Sequence, residues 1–66
     1  MEVTLNGESK QLPEAMTAAQ LLEQLKIVPE RVVVELNMTI LKRAQLAATS
    51  IKSGDHIEIV HFVGGG

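Results

Sequence analysis

One stretch of this chain carries a clear helical period, and it is too short to stand alone. Ala18, Leu21, Leu22 and Leu25 fall at i, i+3, i+4 and i+7, which is one face of a helix of about nine residues. Glu23, Gln24 and Lys26 take the other face. Thr17 reads as the N-cap, and Gln20, three residues on, completes a capping box. Pro29 closes the segment. So short a helix is marginal in water by itself. Its leucine face must lie on something, and the remaining pattern offers strands.

Val3 and Leu5 alternate with Glu2 and Thr4, a strand pattern. Asn6-Gly7 follows, the dipeptide a type I′ hairpin turn favours because both positions need positive φ. The return strand spans Glu8 to Leu12, and Pro13 ends it because proline cannot donate to a ladder. Val32-Val33-Val34-Glu35-Leu36 is β-branched and reads as the best-buried strand, with Val32, Val34 and Leu36 on one face. Asn37 begins a turn, and Ile40-Leu41 forms a short strand. Lys42 to Ser50 fits neither period: its Ala and Leu content suits a helical turn, and nothing fixes its ends. Ser53-Gly54-Asp55 is a turn, with Asp55 in turn chemistry, and His56 to Val63 is the last strand.

A helix and a sheet that bury their apolar faces on each other make a two-layer α+β domain. Hairpin, crossing helix, then strands closing on an extended C-terminal strand is the plan of a β-grasp, a mixed sheet packed on one main helix. The expected division is a β-grasp domain over 1–63 and a flexible glycine tail over 64–66.

At 66 residues, there is room for one domain. Without cysteine, neither disulfides nor thiolate metal sites can staple it, so stability must come from the apolar core that a 45% hydrophobic content supplies. Phe62 is the lone aromatic residue, which argues against a base-stacking platform for single-stranded nucleic acid. The net charge is −2, and among scattered basic residues only Lys42 and Arg43 are adjacent, too few to track a phosphate backbone. The start Met1-Glu2-Val3-Thr4 has neither the basic region nor the apolar run of a signal peptide, and no segment reaches membrane-spanning length. A cytoplasmic setting is the expectation.

The sequence ends in Phe62-Val63-Gly64-Gly65-Gly66. Glycine lets other backbone approach closely, and the residues from Val63 onward reach about 14 Å at roughly 3.5 Å each. That suffices to carry a carboxylate into a buried site on another protein; the alternative is an inert, frayed end. In the last strand Ile57 and Ile59 share the core face, while Val60 and Phe62 point outward beside the tail. Val60, Phe62 and Val63 therefore form a candidate docking patch, because aromatic residues favour interface cores; the competing role for Phe62 is to cap the end of the core. His56 and His61 differ by five positions and face opposite sides of a regular strand, so they do not chelate one ion. No nucleophile–base motif and no carboxylate pair suited to general acid–base work is visible.

The Asn6-Gly7 hairpin, the Thr17 to Lys26 helix, the Val34-Glu35-Leu36-Asn37 strand end, and Ser53-Gly54-Asp55-His56-Ile57-Glu58-Ile59-Val60 running into Gly65-Gly66 together resemble the sulfur carrier proteins of thiamin biosynthesis, the ubiquitin-like ThiS family. The resemblance implies that the carboxylate of Gly66 is adenylated by an E1-like adenylyltransferase using ATP and Mg²⁺. It is then converted to a thiocarboxylate with sulfur from a donor protein, and the sulfur is passed to a thiazole synthase. Gly64 and Gly65 would thread the tail into the partner's active site. The chain itself would be a carrier, a monomer alone, with no cofactor of its own, no metal, no nucleic acid and no membrane. Three alternatives stay open at this point. They are a carrier for molybdopterin or another sulfur-containing metabolite, a ubiquitin-like modifier joined to protein lysines, and a binding domain with an inert tail.

Overall fold

The structure, a computed structural model, describes residues 1–62. The expected tail residues Gly64, Gly65 and Gly66, and the docking candidate Val63, lie outside the described residues. Strands β1 (Glu2–Leu5) and β2 (Glu8–Gln11) are followed by a short β3 (Met16–Thr17) and helix α1 (Ala18–Gln24). Then come β4 (Val32–Leu36), β5 (Thr39–Leu41), a short β6 (Ser50–Ile51) and β7 (His56–His61). Single 3₁₀ turns cover Pro29–Arg31 and Arg43–Gln45.

The main sheet has five strands in the order β2-β1-β7-β4-β5. β1 pairs antiparallel with β2 and parallel with β7, while β4 pairs antiparallel with both β7 and β5. A parallel neighbour requires a crossover connection, and the helix supplies it. The first and last strands of the chain thus become sheet neighbours, with β7 in the middle. This is the mixed β-grasp sheet with one helix expected from the sequence.

The turns form for the reasons their residues give. Asn6 at φ 50° and Gly7 at φ 82° make the two-residue hairpin turn between β1 and β2. The return strand stops at Gln11 rather than Leu12, yet Leu12 still donates to the Met1 carbonyl at 2.7 Å and is buried. At the helix start the Thr17 hydroxyl accepts from the Gln20 N–H at 3.1 Å, and the Gln20 side chain accepts from the Thr17 N–H at 2.9 Å. The helix has seven residues, and Pro29 does not close it. Lys26 does, in the left-handed region at φ 60°. Its N–H bonds to the Glu23 carbonyl and that of Ile27 to the Leu22 carbonyl, the paired bonds of a Schellman cap that usually has glycine in the Lys26 position.

Val3, Leu21, Leu22, Ile51 and Ile57 are buried to within 2% exposure, with Val32, Val34 and Ile59 beside them. The helix stripe and the inner face of the sheet meet as their periods require. The segment from Lys42 to Ser50, for which the sequence supplied no ends, resolves into a 3₁₀ turn, a buried Leu46 and the start of β6. Its carbonyls cap the helix: the Ala18 and Ala19 N–H groups bond to Thr49 and Leu46 at 2.9 and 3.0 Å, satisfying donors every helix start leaves over. β6 then pairs with β3 in a second, two-stranded sheet.

Candidate functional site

β7 carries the chain to the last described residue, and it is held at each stage. At its start, Asn37 brackets His56: the Asn37 N–H donates to the His56 carbonyl at 2.8 Å, and the Asn37 Oδ1 accepts from the His56 N–H at 2.9 Å. The Asn37 Nδ2 donates to Asp55 Oδ1 at 3.0 Å, while Asp55 Oδ2 accepts from the Lys52 N–H at 2.7 Å. The turn chemistry expected of Asp55 therefore also ties two loops together. Near the middle of the strand, β1 has ended, and the Asn6 side chain takes its place. Oδ1 accepts from the Ile59 N–H at 2.7 Å and Nδ2 donates to the Ile59 carbonyl at 3.3 Å. At the end, the Phe62 N–H donates to the Arg31 carbonyl at 2.9 Å. Strand pairing stops at His61, short of the expected Val63, but this last bond extends the hold by one residue.

Ile57 and Ile59 face the core at 1% and 7% exposure, as the parity of the strand predicts. Val60 and Phe62 face outward at 55% and 60%. Across the ladder Val60 sits opposite Val33, and Glu58 opposite Glu35. Glu35 is in turn opposite Ile40 of β5, an exposed isoleucine. The outward face of the sheet thus presents Ile40, Val33, Val60 and Phe62, ending where the described chain ends, with two carboxylates set among them. His56 and His61 stand at opposite ends of β7, both exposed. Among the described residues no three histidine, aspartate or glutamate side chains group as a metal site. No helix is long and apolar enough to cross a membrane.

Asn6 and Asn37 are the residues that reading the sequence did not single out. Both occur in turn signals, and a turn accounts for each locally. That Asn6 reaches a residue 53 positions away follows only from the parallel register of β1 and β7.

A five-stranded mixed sheet crossed by one helix, with a central last strand locked into the sheet as far as the start of a glycine run, defines a ubiquitin-like β-grasp domain. The comparisons narrow the class. The model of the ThiS family matches residues 3–66, and the chain belongs to that family. The crystal structure of the thiamine biosynthesis protein ThiS from Geobacter metallireducens superposes with a TM-score of 0.88 at 39% identity, each chain covered in full. Two thiazole synthases, from Paramagnetospirillum magneticum and Magnetococcus marinus, are 36% and 39% identical over all 66 residues. The chain spans only 20% of the length of each.

Proposed function

We propose that the protein is the sulfur carrier of thiazole formation in thiamin biosynthesis, with the Gly66 carboxylate as the group that carries sulfur. The observation that supports this most is the family match, which includes the glycine run. A carboxylate oxygen is a poor leaving group. Attack of the carboxylate on the α-phosphorus of ATP, with release of pyrophosphate, converts it to a mixed anhydride with AMP. A sulfur nucleophile then takes the acyl carbon and AMP leaves. Release from the donor gives a thiocarboxylate, a strong nucleophile held by one carbonyl. An E1-like adenylyltransferase supplies the ATP and Mg²⁺ chemistry, so the carrier needs no catalytic side chain.

The carrier's task is delivery. The hold on β7 up to Phe62 fixes where the tail begins, and Gly64 and Gly65 bring no Cβ to a narrow channel. Val60, Phe62 and Val63 form the docking patch at the tail's root. The thiazole synthase as recipient is favoured by the two relatives that contain a matching segment within a synthase chain.

Intact-mass measurement after incubation with an E1-like adenylyltransferase, ATP-Mg²⁺ and a sulfur donor tests the reading. The expected result is a mass gain matching replacement of one oxygen by sulfur, absent without the donor and absent when Gly66 is deleted. No gain, with an enzyme active on another carrier, would overturn it.

A further inference from the structure

Glu35 and Glu58 are direct cross-strand partners on the outward face of the two central strands. Like charges placed opposite one another destabilise a sheet. The neighbouring outward positions offer no lysine or arginine: Ile40 lies across from Glu35, and Val33 and Val60 form the next pair along the ladder. The carboxylates therefore repel inside an apolar surface, and the isolated domain gains nothing from having both. Val60, Phe62 and Ile40 around them are each more than half exposed. An apolar face with two unneutralised charges at its middle complements a surface that is apolar and carries a cation.

We propose that this face receives the activating enzyme, and that the enzyme meets the Glu35–Glu58 pair with a guanidinium or ammonium group set in an apolar surface. The inference rests on the carrier reading above and gives its docking step a chemistry. The apolar row ends at Phe62, the root of the tail. A tail of about 14 Å reach brings Gly66 to a reacting ATP only if the enzyme's surface lies against that root. A guanidinium is the better fit, because its planar fork can pair with two carboxylates at once. Docking removes the repulsion that folding leaves in place. It also gives the encounter a long-range attraction that salt screens.

The test uses the full chain and Glu35→Gln, Glu58→Gln and the double variant, with Glu23→Gln on the helix layer as control. Binding to the adenylyltransferase is measured by calorimetry at low and high salt, and folding by urea denaturation. Each single variant should weaken binding about tenfold and raise the denaturation midpoint. The double variant should lose most of the salt dependence, and the control should match wild type. Wild-type affinity in the double variant would overturn the inference while leaving the carrier reading intact. So would a loss of binding matched by a loss of stability, which would mark the pair as structural. Sedimentation showing a wild-type dimer that the double variant abolishes would assign the face to a second copy and overturn it too. Failure of the wild-type chain to be adenylated at all would remove both readings.

Discussion

The Asn6 carboxamide closes on the backbone of Ile59, accepting its N–H at 2.7 Å and donating to its carbonyl at 3.3 Å. A side chain thereby does the work of a strand residue where β1 has turned away into its hairpin. Asn6→Gly isolates the contribution, because glycine adopts the same positive φ without strain. Two hydrogen bonds at about 0.5–1.5 kcal/mol each predict a loss of about 1–3 kcal/mol. Urea denaturation reads it directly. Wild-type stability in the variant would mean that water replaces the carboxamide freely and that β7 is not held there.

Met38 sits at the tip of the β4–β5 hairpin with φ 72° and 92% exposure. With Asn37 at φ 51° it forms a two-residue turn of the type that favours Asn-Gly. A side chain in the left-handed region costs about 1–2 kcal/mol, and this one gains almost no burial in return. Met38→Gly should therefore stabilise the domain, after the entropic penalty of glycine, by about 0.5–1 kcal/mol. A lower thermal midpoint would show that the methionine makes contacts its exposure does not reveal.

Much of the fold was legible because its signals are local. The capping box at Thr17 and Gln20, the Asn6-Gly7 turn, and the alternation that puts Ile57 and Ile59 inward depend on neighbours a few positions apart. Reading the sequence failed where the cause is distant. β3 and β6 have two residues each, too few to show a period, and each exists because the other is there. Helix termination at Lys26 was hidden because a lysine holds a position where glycine is the usual signal. The candidate site divides the same way. Outward Val60 and Phe62 follow from strand parity, whereas the Glu35–Glu58 pairing needs the register between two strands more than twenty residues apart.

Leu46 tests whether the segment after β5 belongs to the core. It is 6% exposed, packs with the buried cluster, and its carbonyl accepts from the Ala19 N–H at 3.0 Å. Leu46→Ala should cost about 2–5 kcal/mol, the range for large-to-small changes at buried leucines. Calorimetric melting would measure it. A change below about 0.5 kcal/mol, the usual scale of surface substitutions, would mark the segment as a loop the core does not need.

Phe62 separates docking from folding. At 60% exposure its ring adds little to the core, so Phe62→Ala should change folding stability by less than about 0.5 kcal/mol. If the ring docks the activating enzyme, the same change should weaken binding at least tenfold, about 1.4 kcal/mol. Val60→Ala should act in the same direction and less strongly, because fewer atoms leave the interface. Equal losses in binding and melting would instead make Phe62 a cap on the end of the core.

Gly65 carries the claim that the tail enters a channel too narrow for a side chain. Gly65→Val adds a β-branched group next to the reacting residue and touches none of the contacts that hold residues 1–62 together. Folding should therefore match wild type by melting and by circular dichroism. Adenylation, followed as ATP–pyrophosphate exchange, should fall by at least a hundredfold, about 2.7 kcal/mol of transition-state free energy. Gly65→Ala, with one methyl group, should fall between the two. The graded series distinguishes steric exclusion from loss of chain freedom: a narrow channel penalises valine far more than alanine, while a requirement for flexibility alone penalises both similarly. Normal exchange with the valine variant would defeat the channel argument and shift the role of the glycines from fit to reach.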